Sequence, residues 1–176
     1  LAPGGALVKK SAVPENMRVH KGPAQIFDSE DDASNALMED KIKPGTVVIV
    51  RGMGPAGDPG MRLLQRFLWL SAAKGMSDKI AFLTDGRFSG TNMGCAVAHI
   101  SPESSVGGPL GLVEDGDLIS INVPEASIDL LVEEEIIENR KAMWSRPEPN
   151  IKNGYLALYS RMADDTSRGA SLRYRS

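Results

Sequence analysis

The segment Thr84-Asp85-Gly86-Arg87-Phe88-Ser89-Gly90-Thr91 brings a carboxylate, a guanidinium and hydroxyls close together between glycines. Glycine permits backbone angles that other residues rarely adopt, so such a loop can turn its side chains toward one small ligand. Arg87 could form paired hydrogen bonds with a substrate carboxylate. Ser89 could act as a nucleophile, or as a base if a nearby cation lowered its proton affinity. The residues alone leave open the alternative that Asp85 pairs with Arg87 and Ser89 caps a turn.

A second glycine-rich segment spans residues 52–60 and is expected to open a helix. The free N–H groups at a helix start bind carboxylates or phosphates. The segment lacks the Gly-Lys-Ser/Thr ending of a P-loop and does not fit a dinucleotide-binding GxGxxG site. Anion binding and simple turn formation are both compatible with its composition.

Two other reactive side chains stand alone. His99 follows an apolar run, where a histidine is more often structural than catalytic, and Cys95 lies within that run as a small core residue. A single cysteine excludes a disulfide within the chain, and it excludes a four-cysteine zinc or iron–sulfur site.

Both loops follow apolar runs that are typical of strands covered on both faces, at residues 46–50 and 79–84. A third run covers residues 95–100. Alternating residues 118–123 and 127–132 flank Pro124-Glu125-Ala126 and predict a hairpin.

Helical patterns fill much of the remaining chain, while residues 1–25 read as an irregular lead-in rich in Pro, Gly and Lys. Ser29 is a plausible N-cap for the first helix. The helices are expected at residues 33–38, from Leu63 to Leu70, at 133–144 and at 155–165. These elements predict one α+β (mixed α/β) domain, with a mixed sheet or barrel and flanking helices.

The composition of the 176 residues is that of an ordinary globular domain, with a net charge of −3. This charge gives no broad attraction to nucleic acid or anionic membranes. No apolar run approaches the roughly 18–20 residues that cross a bilayer. No secretory signal is visible, so a cytoplasmic location is expected, or an organellar one in a eukaryote. The chain begins with Leu1 rather than Met, as expected for a fragment.

Several motifs occur in the same order as in one known family. By these motifs, the chain resembles the dihydroxy-acid dehydratase and phosphogluconate dehydratase family over nearly its whole length. The central motifs are Thr84–Gly90, His99–Glu103, Gly107–Pro109 and Val113–Asp117. The outer ones are Lys21–Ala24, Phe27–Glu30, Gly57–Met61 and Gly154–Ala157.

This resemblance implies that residues 1–176 are the C-terminal, swivelling β-barrel-like domain of a larger enzyme, without its N-terminal cluster-binding domain. An iron–sulfur cluster and Mg²⁺ would be held mainly by that missing domain, so this chain alone would bind neither and would be inactive. The implied partners are its own N-terminal domain, a small hydroxy-acid substrate and further copies of the enzyme, but no nucleic acid and no membrane.

The resemblance also implies the reaction, which removes water from a 2,3-dihydroxy carboxylic acid to give a 2-keto acid. Ser89 would be the base that removes the C2 proton, while the cluster iron acts on the C3 hydroxyl. Dihydroxyisovalerate-type acids and sugar acids are both plausible substrates. The residues expected to shape the substrate pocket are Asp85, Arg87, His99, Gly57 and Gly60.

One position departs from the family pattern. The family reads Pro-Gly-Met-x-Glu, with the Glu binding Mg²⁺, whereas this chain has Leu63 at that place. Leucine offers no oxygen to a metal that demands oxygen ligands. Asp58 could substitute, although it precedes the expected helix and Leu63 lies within it. Two rival interpretations are a divergent or non-catalytic paralogue that uses the domain for association, and an anion-binding module without chemistry.

Overall fold

The computed structural model describes residues 1–173, and its strands follow the apolar runs of the sequence. They are β1 (Gly5–Val8), β2 (Val19–Phe27), β3 (Val47–Val50), β4 (Ala81–Thr84), β5 (Cys95–Ser101), β6 (Leu118–Asn122) and β7 (Ser127–Leu130). The α-helices are α1 (Glu30–Met38), α2 (Arg66–Ala73), α3 (Glu134–Met143) and α4 (Gly154–Met162). Within the described residues, no helix is both long and apolar enough to span a membrane.

The seven strands form one curled mixed sheet, a half-barrel, in the order β1-β5-β4-β3-β2-β6-β7. Strands β2 to β5 run parallel to one another. Strand β1 pairs antiparallel with β5 on one side, and β6 and β7 form antiparallel pairs on the other. The long strand β2 changes partner along its length, because residues 19–23 pair with β6 and residues 24–27 pair with β3. The carboxyl ends of the four parallel strands therefore lie at one edge of the sheet.

Each face of the sheet has its own apolar core. Val47 and Ile49 of β3 point into a core formed within the half-barrel. Val48 and Val50 point to the opposite face, which α1 and α2 cover. There Phe67 of α2 stacks on Phe82 of β4, with ring centroids 5.0 Å apart. Burial on both faces explains why β3 and β4 read as continuous apolar runs rather than as alternating ones.

The predicted fold class is confirmed, with a mixed sheet and flanking helices. The predicted hairpin is present as β6 and β7. Ser29 caps α1 as expected, since its hydroxyl accepts the Asp32 N–H at 3.1 Å.

Two expectations about the elements were wrong. Residues 1–25 are not irregular, because they contain β1 and most of β2. Leu63 does not lie within a helix, since α2 begins at Arg66. Instead Leu63 forms a parallel β-bridge with Arg87, and the Leu64 N–H donates to the Arg87 carbonyl at 2.9 Å. The glycine-rich segment 52–60 is therefore followed by an extended stretch and does not open a helix directly.

Candidate active site

The loops that carry the reactive residues meet at the carboxyl edge of the parallel strands. This edge is where ligands bind in open parallel sheets. Residues 51–60 follow β3, residues 85–94 follow β4 and residues 102–108 follow β5. The fold thus brings both glycine-rich loops of the sequence to one edge.

Asp85 connects these three loops through hydrogen bonds. Its side chain is fully buried, and its carboxylate accepts the N–H groups of Gly52 at 3.1 Å, Met53 at 2.9 Å and Ser104 at 2.8 Å. The Ser104 hydroxyl donates a fourth hydrogen bond at 2.6 Å. Four donors stabilise a buried carboxylate in its charged form. Asp85 therefore holds the loops of the site in place through buried hydrogen bonds. Its predicted contact with the substrate stays a prediction.

Ser89 is half-buried on the loop after β4. Its N–H donates to the side-chain oxygen of the buried Gln65 at 3.1 Å. Its hydroxyl lies 2.7 Å from the Thr91 hydroxyl and accepts the Thr91 N–H at 3.1 Å. The hydroxyl therefore caps a turn, as one alternative proposed, and it can still take part in one further hydrogen bond.

Arg87 lies on this loop, and His99 lies beside it on β5. The Arg87 side chain is exposed, and its Nε donates to the Met61 carbonyl rather than to Asp85. His99 lies within β5 at a φ of 54°, and its N–H donates to the Gly86 carbonyl at 2.9 Å. Partial burial, followed by the positive charge of Arg87, lowers the pKa of His99. At neutral pH the pair offers one cation and one neutral imidazole.

Gly57 occupies a position without room for a side chain. A Cβ there would collide with the Ser105 hydroxyl and the Gly52 carbonyl oxygen. Gly57 borders a cavity of about 410 Å³ that is also lined by Arg51 and by the segment 144–150. Gly60, by contrast, is exposed at a φ of 105° with open space around it. Close approach therefore constrains Gly57, and backbone conformation constrains Gly60.

Neither Leu63 nor Asp58 fits the Mg²⁺ position of the motif that the sequence resembles. Leu63 is 47% exposed and has no oxygen in its side chain. The carboxylate of Asp58 is paired with the Nε of Arg62 at 3.1 Å, which neutralises the oxygen that a metal would need. Among residues 1–173, no group of three or more His, Cys, Asp or Glu side chains could hold a metal ion.

Cys95 likewise does not fit a cluster ligand. It lies in the core within β5, and burial raises the pKa of its thiol to about 11. Metals bind the thiolate, so a thiol held neutral in the core is a packing residue.

Glu103 and Gln65 also lie at the site, although the sequence did not single them out. Glu103 is only 4% exposed and accepts the Ala56 N–H at 2.8 Å. Burial first, and then the negative charge of Asp85, raises the pKa of Glu103 to about 7. The signal available in the sequence was its place in the His99–Glu103 motif, directly after an apolar strand.

Comparison with known proteins identifies the family of this chain. A family model described as dihydroxy-acid/6-phosphogluconate dehydratase C-terminal matches residues 1–170. The chain is 50% identical over 170 residues to a dihydroxy-acid dehydratase of Desulfatibacillum aliphaticivorans, covering 97% of this chain and 31% of the relative. A dihydroxy-acid dehydratase of Methanothrix thermoacetophila is 45% identical over 173 residues, covering 98% of this chain and 32% of the relative. The chain thus spans about a third of the length of these curated relatives.

Proposed function

Because the chain belongs to the dihydroxy-acid/6-phosphogluconate dehydratase C-terminal family, we propose that it is the C-terminal part of a hydro-lyase. The enzyme would convert a 2,3-dihydroxy carboxylic acid into a 2-keto acid. The observation that carries this proposal is the Ser89 loop, where an available hydroxyl and the exposed Arg87 guanidinium lie at the carboxyl edge of the sheet.

In this proposal each residue of the loop has one task. Arg87 binds the substrate carboxylate through its guanidinium, which matches a carboxylate with paired donors. Ser89 Oγ, once deprotonated, removes the C2 proton, and a cation close to this oxygen would favour the deprotonated form. The C2–H electron pair forms the C2=C3 double bond as the C3–O bond breaks, and the leaving hydroxide takes the abstracted proton and departs as water. The resulting enol becomes the 2-keto acid when its C2 hydroxyl loses a proton and C3 gains one from solvent. His99, being neutral, can exchange hydrogen bonds with substrate hydroxyls without adding charge.

The iron–sulfur cluster and Mg²⁺ implied by the family are proposed to be held by the rest of the longer chain. Leu63, the Asp58–Arg62 pair and the buried Cys95 support this division, because none of them offers a free ligand.

The names of the relatives favour a dihydroxy acid over a sugar acid as substrate, since those compared above are dihydroxy-acid dehydratases. A panel containing dihydroxyisovalerate and several aldonic acids, with 2-keto acid formation followed, would identify the substrate. Product from none of them would favour the rival proposal of a non-catalytic paralogue, which Leu63 motivates.

The proposed partner of this domain is the remainder of its own chain. Helix α4 presents apolar side chains outward, with Tyr155 70% and Leu158 51% exposed. Exposed apolar patches of this kind usually mark interaction surfaces. A homo-oligomer is also proposed, on the family resemblance alone.

The role of Ser89 is tested by Ser89→Ala in the full-length enzyme. Loss of a general base costs about 10²–10⁴-fold in turnover, and we expect kcat to fall in that range. The absorption spectrum of the cofactor should stay unchanged. Ser11→Ala, at an exposed site in the first 3₁₀ turn, is the matched control. Turnover of Ser89→Ala close to that of the control would exclude Ser89 as the base.

A further inference from the structure

Glu103 lies beneath the loop of residues 52–57 with one of its oxygens unbonded. Its Oε1 accepts the Ala56 N–H at 2.8 Å. Its Oε2 is buried, and no donor among the described residues is aligned for a hydrogen bond to it. The N–H groups of Ala56 and Gly57 lower the pKa of Glu103, but burial outweighs them. A buried carboxylate oxygen without a donor is unfavourable, whereas a neutral carboxylic acid tolerates this position far better.

The loop is packed directly onto this carboxyl group. A Cβ at Gly54 would overlap Glu103 Oε2 and lie 2.6 Å from its carboxyl carbon. The same loop reaches Gly57 three residues later, where a side chain is again excluded. The position of the Glu103 carboxyl therefore determines the path of the backbone that leads to Gly57.

Two carboxylates near Glu103 also favour its neutral form. The carboxylate of Asp85 approaches from the end of β4, and Asp165 approaches from the segment after α4. Tyr159 of α4 adds no charge, because burial first, and then the negative charge of Glu103, raises its pKa. The opposing cations are Arg146, Arg161, Arg168 and Arg173, which line an adjoining cavity of about 430 Å³. Arg168 and Arg173 are paired there with Asp164.

We propose that Glu103 is a positioning residue for the dehydratase reaction. As a neutral acid it holds residues 52–57 in the conformation that places Gly57 at the substrate, and its ionisation loosens this loop. The inference rests on the proposed function, together with the expectation from the sequence that Gly57 shapes the substrate pocket.

The direction of the pH dependence follows from the pKa of Glu103, which burial and Asp85 raise from 4.5 to about 7. Between pH 4.5 and about 7, Glu103 keeps its proton while residues 52–57 pack onto it, and it releases the proton when this loop opens. The stabilisation from Glu103 is therefore complete below pH 4.5 and is lost as the pH rises through about 7.

Hydrogen exchange of residues 52–57 in the full-length enzyme tests this directly. We expect the protection factor, corrected for intrinsic exchange, to fall about tenfold or more between roughly pH 5.5 and pH 8, since one pKa unit corresponds to a factor of ten. Glu103→Gln is the neutral isostere and should keep its protection constant over the same range. Glu135→Gln, at an exposed site on α3, should behave as the wild type.

Steady-state kinetics provide the second readout. We expect the wild-type kcat/KM to fall with an apparent pKa near 7 through a rising KM, and Glu103→Gln to lose this fall. Glu103→Ala removes the acceptor of the Ala56 N–H and should raise KM about tenfold at all pH values, with a smaller change in kcat.

The outcomes separate the two proposals. Equal pH dependence of loop protection in the wild type and Glu103→Gln would overturn the role of Glu103, as would protection that is constant with pH in the wild type. A wild-type enzyme without dehydratase activity would overturn the proposed function, while the exchange measurement would still decide whether Glu103 controls the loop.

Discussion

Asp85 joins three loops through one buried carboxylate, since its own loop follows β4 and its donors lie after β3 and β5. Asp85→Asn would place an amide NH₂ against backbone N–H donors and remove the charge that those donors stabilise. We expect a loss of about 3 kcal/mol in the free energy of unfolding, typical of breaking a buried charged network. Urea unfolding of the 176-residue chain measures it.

The matched control for this prediction is Asp129→Asn, an exposed aspartate on β7. Substitutions at such surface sites usually change stability by less than about 0.5 kcal/mol. Equal stability of the two variants would show that water replaces the hydrogen bonds of Asp85 without cost.

The types of the site residues could be predicted from the sequence, but their burial could not. Ser89 and Arg87 became candidates because glycines surround them, and the role of Ser89 as a base came from the family resemblance. Glu103 was missed because a glutamate is normally exposed. The residues next to Glu103 do not show that Gly54, about fifty positions earlier in the chain, packs onto it. Gln65 was missed for the same reason.

At the scale of the elements, the loop after β3 depends on a glycine that admits no side chain. Gly57→Ala would force the new methyl group into Ser105 and the Gly52 backbone. Overpacking of this kind costs about 1–3 kcal/mol, and we expect a loss in the upper part of that range because backbone atoms cannot rotate away.

The control for this prediction is Gly90→Ala, where a Cβ would meet open space at an ordinary φ. Its free energy of unfolding should stay within about 0.5 kcal/mol of the wild type. Similar losses for both variants, measured by urea unfolding, would contradict a steric origin.

Elements whose pattern reflects local burial were predicted well. Strands β3 and β4 are apolar on both faces, and the β6–β7 hairpin alternates around an evident turn. Strand β2 was missed because Lys21, Gly22 and Pro23 are poor strand residues, and its pairing with β6 joins residues about a hundred positions apart. The start of α2 was misplaced because Leu63 and Leu64 continue the apolar pattern of the helix although they pair with the loop of Arg87.

For the whole molecule, the outward apolar side chains of α4 should matter only when the rest of the chain is present. We expect Tyr155→Ser combined with Leu158→Ser to lower the melting temperature of the full-length protein by several degrees, since exposing one such interface residue costs about 1–2 kcal/mol. The 176-residue chain should be almost unaffected, because both side chains are already exposed there. Equal effects on the two proteins, followed by scanning calorimetry, would argue that α4 does not face the remaining chain.

The convergence of the two glycine-rich loops was predictable only in part. Each loop was seen to follow a buried strand, which is where parallel sheets carry their ligands. The order of the strands could not be read, because every neighbouring pair except β4–β5 and β6–β7 is separated along the chain by other elements or long loops. The contact of residues 102–108 with both loops, through Asp85 and Glu103, depends on that order.

The split pairing of β2 also has a consequence for biosynthesis. Val19 pairs with Asn122 and Gly5 with Ser101, so the first two strands leave the ribosome long before their antiparallel neighbours exist. At about 5–20 residues per second, β2 waits roughly 5–20 s for β6. An unpaired strand edge invites aggregation, which lysine and proline oppose. Lys21 and Pro23, which obscured β2 in the sequence, are thus suited to protecting the nascent chain during that interval.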